Sequence, residues 1–174
     1  MLSKSDVEYI KQFERSKRKF YDYTNYFFLF FPTLFLVMGL SVLNSYIKND
    51  AKNELIFISF LMIFVGIILM YFTFKRLGEN IKFLAIENYN NFNLVDLRSK
   101  LENNFKPTDL HFDEKMGVII INTQLTGFSW GEVITIILIG NKYLVNSRPN
   151  GQPITLYKDR KNVKKISAIL RYNN

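Results

Sequence analysis

The only histidine of this 174-residue chain lies in DLHFD, residues 109–113. Alternation along a strand places Asp109, His111 and Asp113 on one face and Leu110 and Phe112 on the other. Two carboxylates and an imidazole are groups that can move a proton or hold a metal ion. The polar face of a short edge strand gives the same pattern, and that is the preferred reading. No glycine-rich phosphate loop, HExxH or GxSxG accompanies the triplet. The absence of cysteine excludes disulfides, thiolate metal sites and cysteine nucleophiles. A single histidine excludes sites built on several imidazoles. No catalytic residue, metal ligand or cofactor is assigned, and the chain reads as non-enzymatic.

A second group of candidates sits on the hairpin EVITIILIG–NKYLVNSRP, from Glu132 to Pro149. Gly140 and Asn141 fit a two-residue turn, with glycine first as type II′ requires. That turn fixes the register. Leu138 then opposes Tyr143, and one face carries Ile134, Ile136, Leu138, Tyr143 and Val145, which is core. The other face is apolar near the turn (Ile137, Ile139, Leu144) and polar further down, where Thr135 opposes Asn146 and Val133 opposes Arg148. A water-facing sheet surface alternates more cleanly. This face is therefore expected to be covered by another subunit, a ligand, a partner or the membrane-proximal helices. Trp130, Thr135, Asn146 and Arg148 form the candidate ligand- or partner-binding cluster. The competing reading makes Trp130 a core anchor and pairs Arg148 with Glu132 or another acid.

The elements that position these residues follow a strongly segregated sequence. The chain is 48% hydrophobic and 22% charged. Neither residues 23–47 nor residues 55–74 contain a charged side chain. Each run is long enough for a spanning helix, which needs about 20 apolar residues. The short polar link between them predicts an antiparallel transmembrane hairpin. Two such runs need far more protein to bury them than this chain contains. The first is no cleavable signal, since a long charged segment precedes it and no small-residue cleavage site follows. Gly39, Ser41, Ser45 and Gly66 are small residues that permit close helix contact. Lysine and arginine crowd the outer flanks of the pair, which predicts cytoplasmic N- and C-termini in a bacterial inner membrane.

Before the first span, SDVE at residues 5–8 fits a capping box. Tyr9, Phe13, Ser16 and Phe20 then mark one face of a basic amphipathic helix across residues 1–22. After the second span, Ile81, Leu84, Ala85 and Tyr89 read as a helical stripe. Asn93 caps a further helix bearing Leu94, Leu97, Leu101 and Phe105, which Pro107 ends. Strands follow at 110–112, from Val118, and in the hairpin. A last helix carries Val163, Ile166 and Ile169 or Leu170 inward. The expected fold class is an α+β membrane protein, with a two-helix hairpin (23–74) ahead of a cytoplasmic α-β-β-β-β-α antiparallel-sheet domain (75–174).

The net charge is +8, and the tail KDRKNVKKISAILR supplies +5 of it. Anionic lipid of the inner leaflet is the simplest partner for such charge. The candidate lipid contacts are Arg15, Lys17, Arg18, Lys19, Lys75, Arg76, Lys161, Lys164 and Lys165. No RNA-stacking motif or recognition helix accompanies them, so nucleic acid is not the expected partner.

The run SWGEVITIILIGNKYLVNSRP, followed by a lysine-rich helix, resembles a group of small two-span membrane proteins of Bacteroidota to which no activity is assigned. The matching elements are Ser129, Trp130, Gly131, Glu132 and Asn146, Ser147, Arg148, Pro149, within residues 110–170. The resemblance implies a membrane hairpin with a cytoplasmic domain and nothing about chemistry. The functional expectation is a membrane-anchored binding or assembly module. The alternatives are a homo-oligomeric membrane effector or pore in bacterial defence, and an immunity or accessory protein against a membrane-acting toxin.

Overall fold

The computed structural model describes residues 2–18, 22, 25–49, 53–124, 131–150 and 158–171. It divides into two units. One is Lys19–Gly78, and the other joins Met1–Arg18 to Glu79–Asn174.

The first unit is helical. A 3-10 turn at Asn25–Leu29 leads into α2, Phe30–Asn49, and α3 spans Asn53–Glu79, its last residue belonging to the second unit. Both are long and apolar enough to cross a membrane, and only 11% of the apolar window of each is buried. Their aromatic and aliphatic side chains, Phe31, Phe57, Phe64 and Phe72 among them, stand exposed rather than packed in a core. Pro32 falls in the first turn of α2, where its missing N–H breaks no hydrogen bond. The two helices approach closely through glycine. A Cβ at Gly39 would lie 2.8 Å from Ile63 Cγ1, and one at Gly66 would lie 2.8 Å from Leu36 Cγ. Ser41 and Ser45, the other small residues of α2, are exposed.

The second unit is an α+β domain with a five-stranded antiparallel sheet in the order β1-β5-β4-β3-β2. The strands are β1 Leu84–Glu87, β2 Asp109–Asp113, β3 Val118–Asn122, β4 Glu132–Ile139 and β5 Lys142–Pro149. The helices are α1 Lys4–Phe13, α4 Leu94–Phe105 and α5 Lys158–Arg171. The central hairpin has the expected register, with Leu138 opposite Tyr143 and Thr135 opposite Asn146. Gly140 takes φ +54° while Asn141 stays out of the left-handed region, as a II′ turn requires. Asn93 accepts from the Asp96 N–H at 2.7 Å and starts α4. The core lies between the expected sheet face (Ile134, Ile136, Tyr143, Val145) and Leu97 and Leu101 of α4 with Ile166 and Leu170 of α5. Burial and the negative charge of Asp96 push the Tyr143 hydroxyl up to about 12, and that hydroxyl donates to Phe92 O at 2.8 Å.

Three expectations are corrected. Residues 84–87, expected in a helical stripe, are a strand, pairing with Lys142–Val145 of β5. The domain part after the hairpin is therefore β-α-β-β-β-β-α. The helical reading failed because a four-residue strand carries too little alternation to outweigh a chance 3.6-residue stripe. The capping box is Ser3 with Asp6, two residues before the expected one: Ser3 Oγ accepts from Asp6 N at 3.1 Å and Asp6 Oδ2 from Ser3 N at 3.2 Å. Finally, α1 stops at Phe13, where Glu14 turns left-handed at φ +51°. Its buried residues are Val7 and Ile10 rather than Tyr9 and Phe13.

That last difference settles what covers the second sheet face near the turn. Val7 and Ile10 pack with Ile137, Leu144, Val118 and Phe83, with Leu2 and Ile139 at the margin. The N-terminal helix of the same chain lies over this apolar half. Ile10→Ala should therefore lower domain stability by about 2–5 kcal/mol, whereas Phe13→Ala, at a residue 51% exposed, should lower it by about 1 kcal/mol or less. Denaturation midpoints of the two variants in one detergent check this, and equal losses would place α1 elsewhere.

Candidate functional site

β1 pairs with β5 only as far as Val145, and β5 runs on to Pro149. Beyond Val145 a side chain joins β5 to the segment that follows α3. There Asn146, 5% exposed, points its side-chain amide at two carbonyls. Its Nδ2 donates to Lys82 O at 2.6 Å and to Asn80 O at 3.1 Å. A second set of bonds joins the same segment to the residues after α1. Ser16 N donates to Ile81 O at 2.9 Å, Phe83 N donates to Glu14 O at 2.8 Å, and Arg15 bridges Lys82. The segment 80–83 is thus held by β5 on one side and by residues 14–16 on the other.

This arrangement redistributes the expected binding cluster. Asn146 is an internal clamp. Thr135, its cross-strand neighbour, is buried at 7% exposure. Arg148 is half-buried and opposes Val133. Glu132 opposes Pro149, so the pleat puts it on the other sheet face from Arg148. Trp130 lies outside the described residues. Sequence reasoning named Glu132 as a partner for Arg148 and did not foresee its burial; it is fully enclosed at the start of β4. Its backbone N–H donates to Thr123 Oγ1 at 2.8 Å. Gly131 precedes it at φ +87°, and a Cβ there would sit 2.6 Å from Thr123 O. The Gly131–Glu132 pair in the hairpin approach thus has a steric cause.

The two carboxylates of DLHFD have structural partners. Asp109 Oδ2 accepts from Asn122 Nδ2 at 3.2 Å, and Asp113 Oδ1 accepts from Met116 N at 3.0 Å, closing the turn into β3. Among the described residues no three His, Asp or Glu side chains stand close enough together to hold a metal ion.

The basic residues divide. Lys165 donates to Asn104 O at the end of α4, and its Nζ lies 4.7 Å from the Phe105 ring centre. Lys17 stands 5.0 Å over Tyr9, which packs against Phe13. Arg15, Arg18, Lys161 and Lys164 are exposed on the domain. In the helical unit Lys75 is exposed and Arg76 half-buried. Lys19 lies outside the described residues.

One groove, of about 400 Å³, opens between α5, the edge of β5 and the 79–84 segment. Phe83, Leu84, Val145 and Val163 give it an apolar floor, and Lys82 and Lys164 stand on its rim. At one end Arg160 Nη2 reaches both carboxylate oxygens of Glu79, at 3.1 and 3.2 Å. Asn162 fixes α5 beside it by donating to Ser147 Oγ at 3.1 Å. No family model, curated protein or solved structure matches this chain. The groove and the clamp therefore stand on their own geometry.

Asn146→Ala leaves two carbonyls short of a donor and should destabilise the domain by about 1–3 kcal/mol. Thr135→Val, of nearly the same shape, should act less. Hydrogen exchange at the Ser16 and Phe83 amides is the direct readout. Exchange as slow as in the unaltered protein would mean that Asn146 does not hold the segment.

Proposed function

We propose that this chain is an integral, multi-pass protein of a bacterial inner membrane. Its α+β domain acts on the cytoplasmic side as a non-enzymatic binding or assembly module. The observation that carries the membrane part is the exposure of the apolar side chains on α2 and α3, with 11% of each window buried. In water that surface would be a large aggregation hazard, and in a bilayer it is the expected one. The basic residues before α2 and at the end of α3, against a short near-neutral link, support cytoplasmic termini.

The binding part moves from the polar end of the hairpin to the groove. Asn146 is hydrogen-bonded within the fold, Thr135 is buried, and the apolar half of that face is under α1. The groove combines accessible apolar surface with cations, the combination a recognition site needs.

The chain has no cysteine, so single-cysteine labelling reads its topology directly. Lys48→Cys should react in intact spheroplasts with an impermeant maleimide. Glu8→Cys and Lys161→Cys should react only after the membrane is opened, and all three proteins should resist carbonate extraction. Release by carbonate, or the reverse labelling pattern, would refute the reading.

A second reading, a homo-oligomeric effector that opens the bilayer, is favoured by the exposure of Ser41 and Ser45 one turn apart on α2. The module reading expects no dye leakage from reconstituted vesicles at any protein density. Leakage that Ser41→Leu with Ser45→Leu abolishes would replace it with the second.

A further inference from the structure

We infer that the groove between α5 and the 79–84 segment seats the headgroup and upper acyl chain of an anionic phospholipid from the bilayer that holds the hairpin. The inference rests on the membrane reading above. Three properties of the groove point to this occupant.

The first is charge. Lys82 and Lys164 line the groove, both are exposed, and neither forms an ion pair among the described residues. Arg160 and Glu79, by contrast, are paired with each other. The lining also holds Asp159, which is buried, so beside the Arg160–Glu79 pair the groove keeps an excess of one positive charge, carried at the exposed rim by two ammonium groups. A phosphodiester is an acceptor of opposite sign.

The second is the floor. A water-soluble phosphate or a nucleic acid backbone gains nothing from Phe83, Leu84, Val145 and Val163. Leu84 is 54% exposed, an apolar contact left open at the groove. An amphiphile satisfies floor and rim together.

The third is position along the chain. Lys82 lies three residues beyond Glu79, the last residue of α3. If α3 spans the bilayer, the groove begins within a few residues of the headgroup layer. Lipid is the amphiphile in greatest supply where the chain leaves the bilayer.

The test uses the full chain, purified in mild detergent, stripped of lipid and titrated with dioctanoyl phosphatidylglycerol or dioctanoyl phosphatidylcholine under native mass spectrometry. The unaltered protein should retain one phosphatidylglycerol at least tenfold more tightly than phosphatidylcholine. A basic residue near an anionic surface contributes roughly fivefold, so Lys82→Ala with Lys164→Ala should lose about thirtyfold in affinity for the anionic lipid. Lys161→Ala, on the same helix but outside the groove, should lose little. Leu84→Ser separates a seat in the groove from general surface attraction: the groove predicts a clear loss, and unchanged retention overturns it. Equal retention of the two lipids, or equal behaviour of the double-lysine and Lys161 variants, also overturns it. Carbonate extraction of the same protein distinguishes the two failures. A chain that stays in the membrane but shows no selectivity sinks the groove alone, and a chain that washes out sinks the membrane reading with it.

Discussion

The fold of the α+β domain depends on one junction, the segment 80–83 gripped between Asn146 and residues 14–16. The domain is discontinuous in sequence. It gives up the chain at Arg18 and recovers it at Glu79, with sixty residues in between. Loop-closure entropy grows slowly, by about 0.6 kcal/mol per doubling of length. A handful of hydrogen bonds at the closing point offsets most of it. Those bonds are present: two backbone bonds from the 14–16 side and two amide contacts from Asn146. An antiparallel helix hairpin returns the chain toward its starting point, so the excursion is compatible with the closure.

What this junction makes possible is the second layer. A sheet whose two faces are both apolar near the central turn needs cover on both. On one face α4 and α5 supply it from the C-terminal side. On the other, cover comes from ten residues at the opposite end of the chain. α1 is too short to be stable alone in water. It persists because Val7 and Ile10 are fully enclosed against Ile137 and Leu144 and because the pairing after Glu14 ties its end down. The strand pairing and the helix packing therefore support each other, and neither is expected to survive alone.

The same residues show what a sequence can and cannot disclose. The hairpin register was legible because a two-residue turn and an alternating pattern leave no other pairing. That the face of Ile137 and Leu144 needed cover was legible for the same reason. The identity of the cover was not, since an apolar face carries no label saying whether its partner is the same chain, another subunit or a lipid. The capping box was ambiguous because Ser3 and Ser5 are each followed by an acid three residues on. The helix takes the first of them, Ser3, as its cap. Asn146 read as a recognition residue because a polar side chain on a half-apolar face suggests a ligand. It is internal because β1 stops at the level of Val145 and leaves carbonyls nearby that an amide can serve. Strand length at one edge, which four residues of sequence scarcely encode, turned a candidate contact into a structural one.

That short edge also explains why a groove exists where it does. Had β1 continued alongside Asn146 and Ser147, its ladder would have paired the edge of β5 that the groove now borders. Instead the chain crosses this edge irregularly, held by the Asn146 amide. Phe83 turns to the buried side, while Lys82 and Leu84 remain exposed. Along α5 successive residues point about 100° apart, so neighbouring lysines take different work. Lys165 turns to the carbonyl end of α4, and Lys164 faces the groove. The basic tail is thus not one undifferentiated positive surface. Its charges are sorted by helical geometry into one that fastens α5 to the domain and one left beside an apolar floor. The clamp that closes the domain and the opening beside it are two results of the same early end of β1.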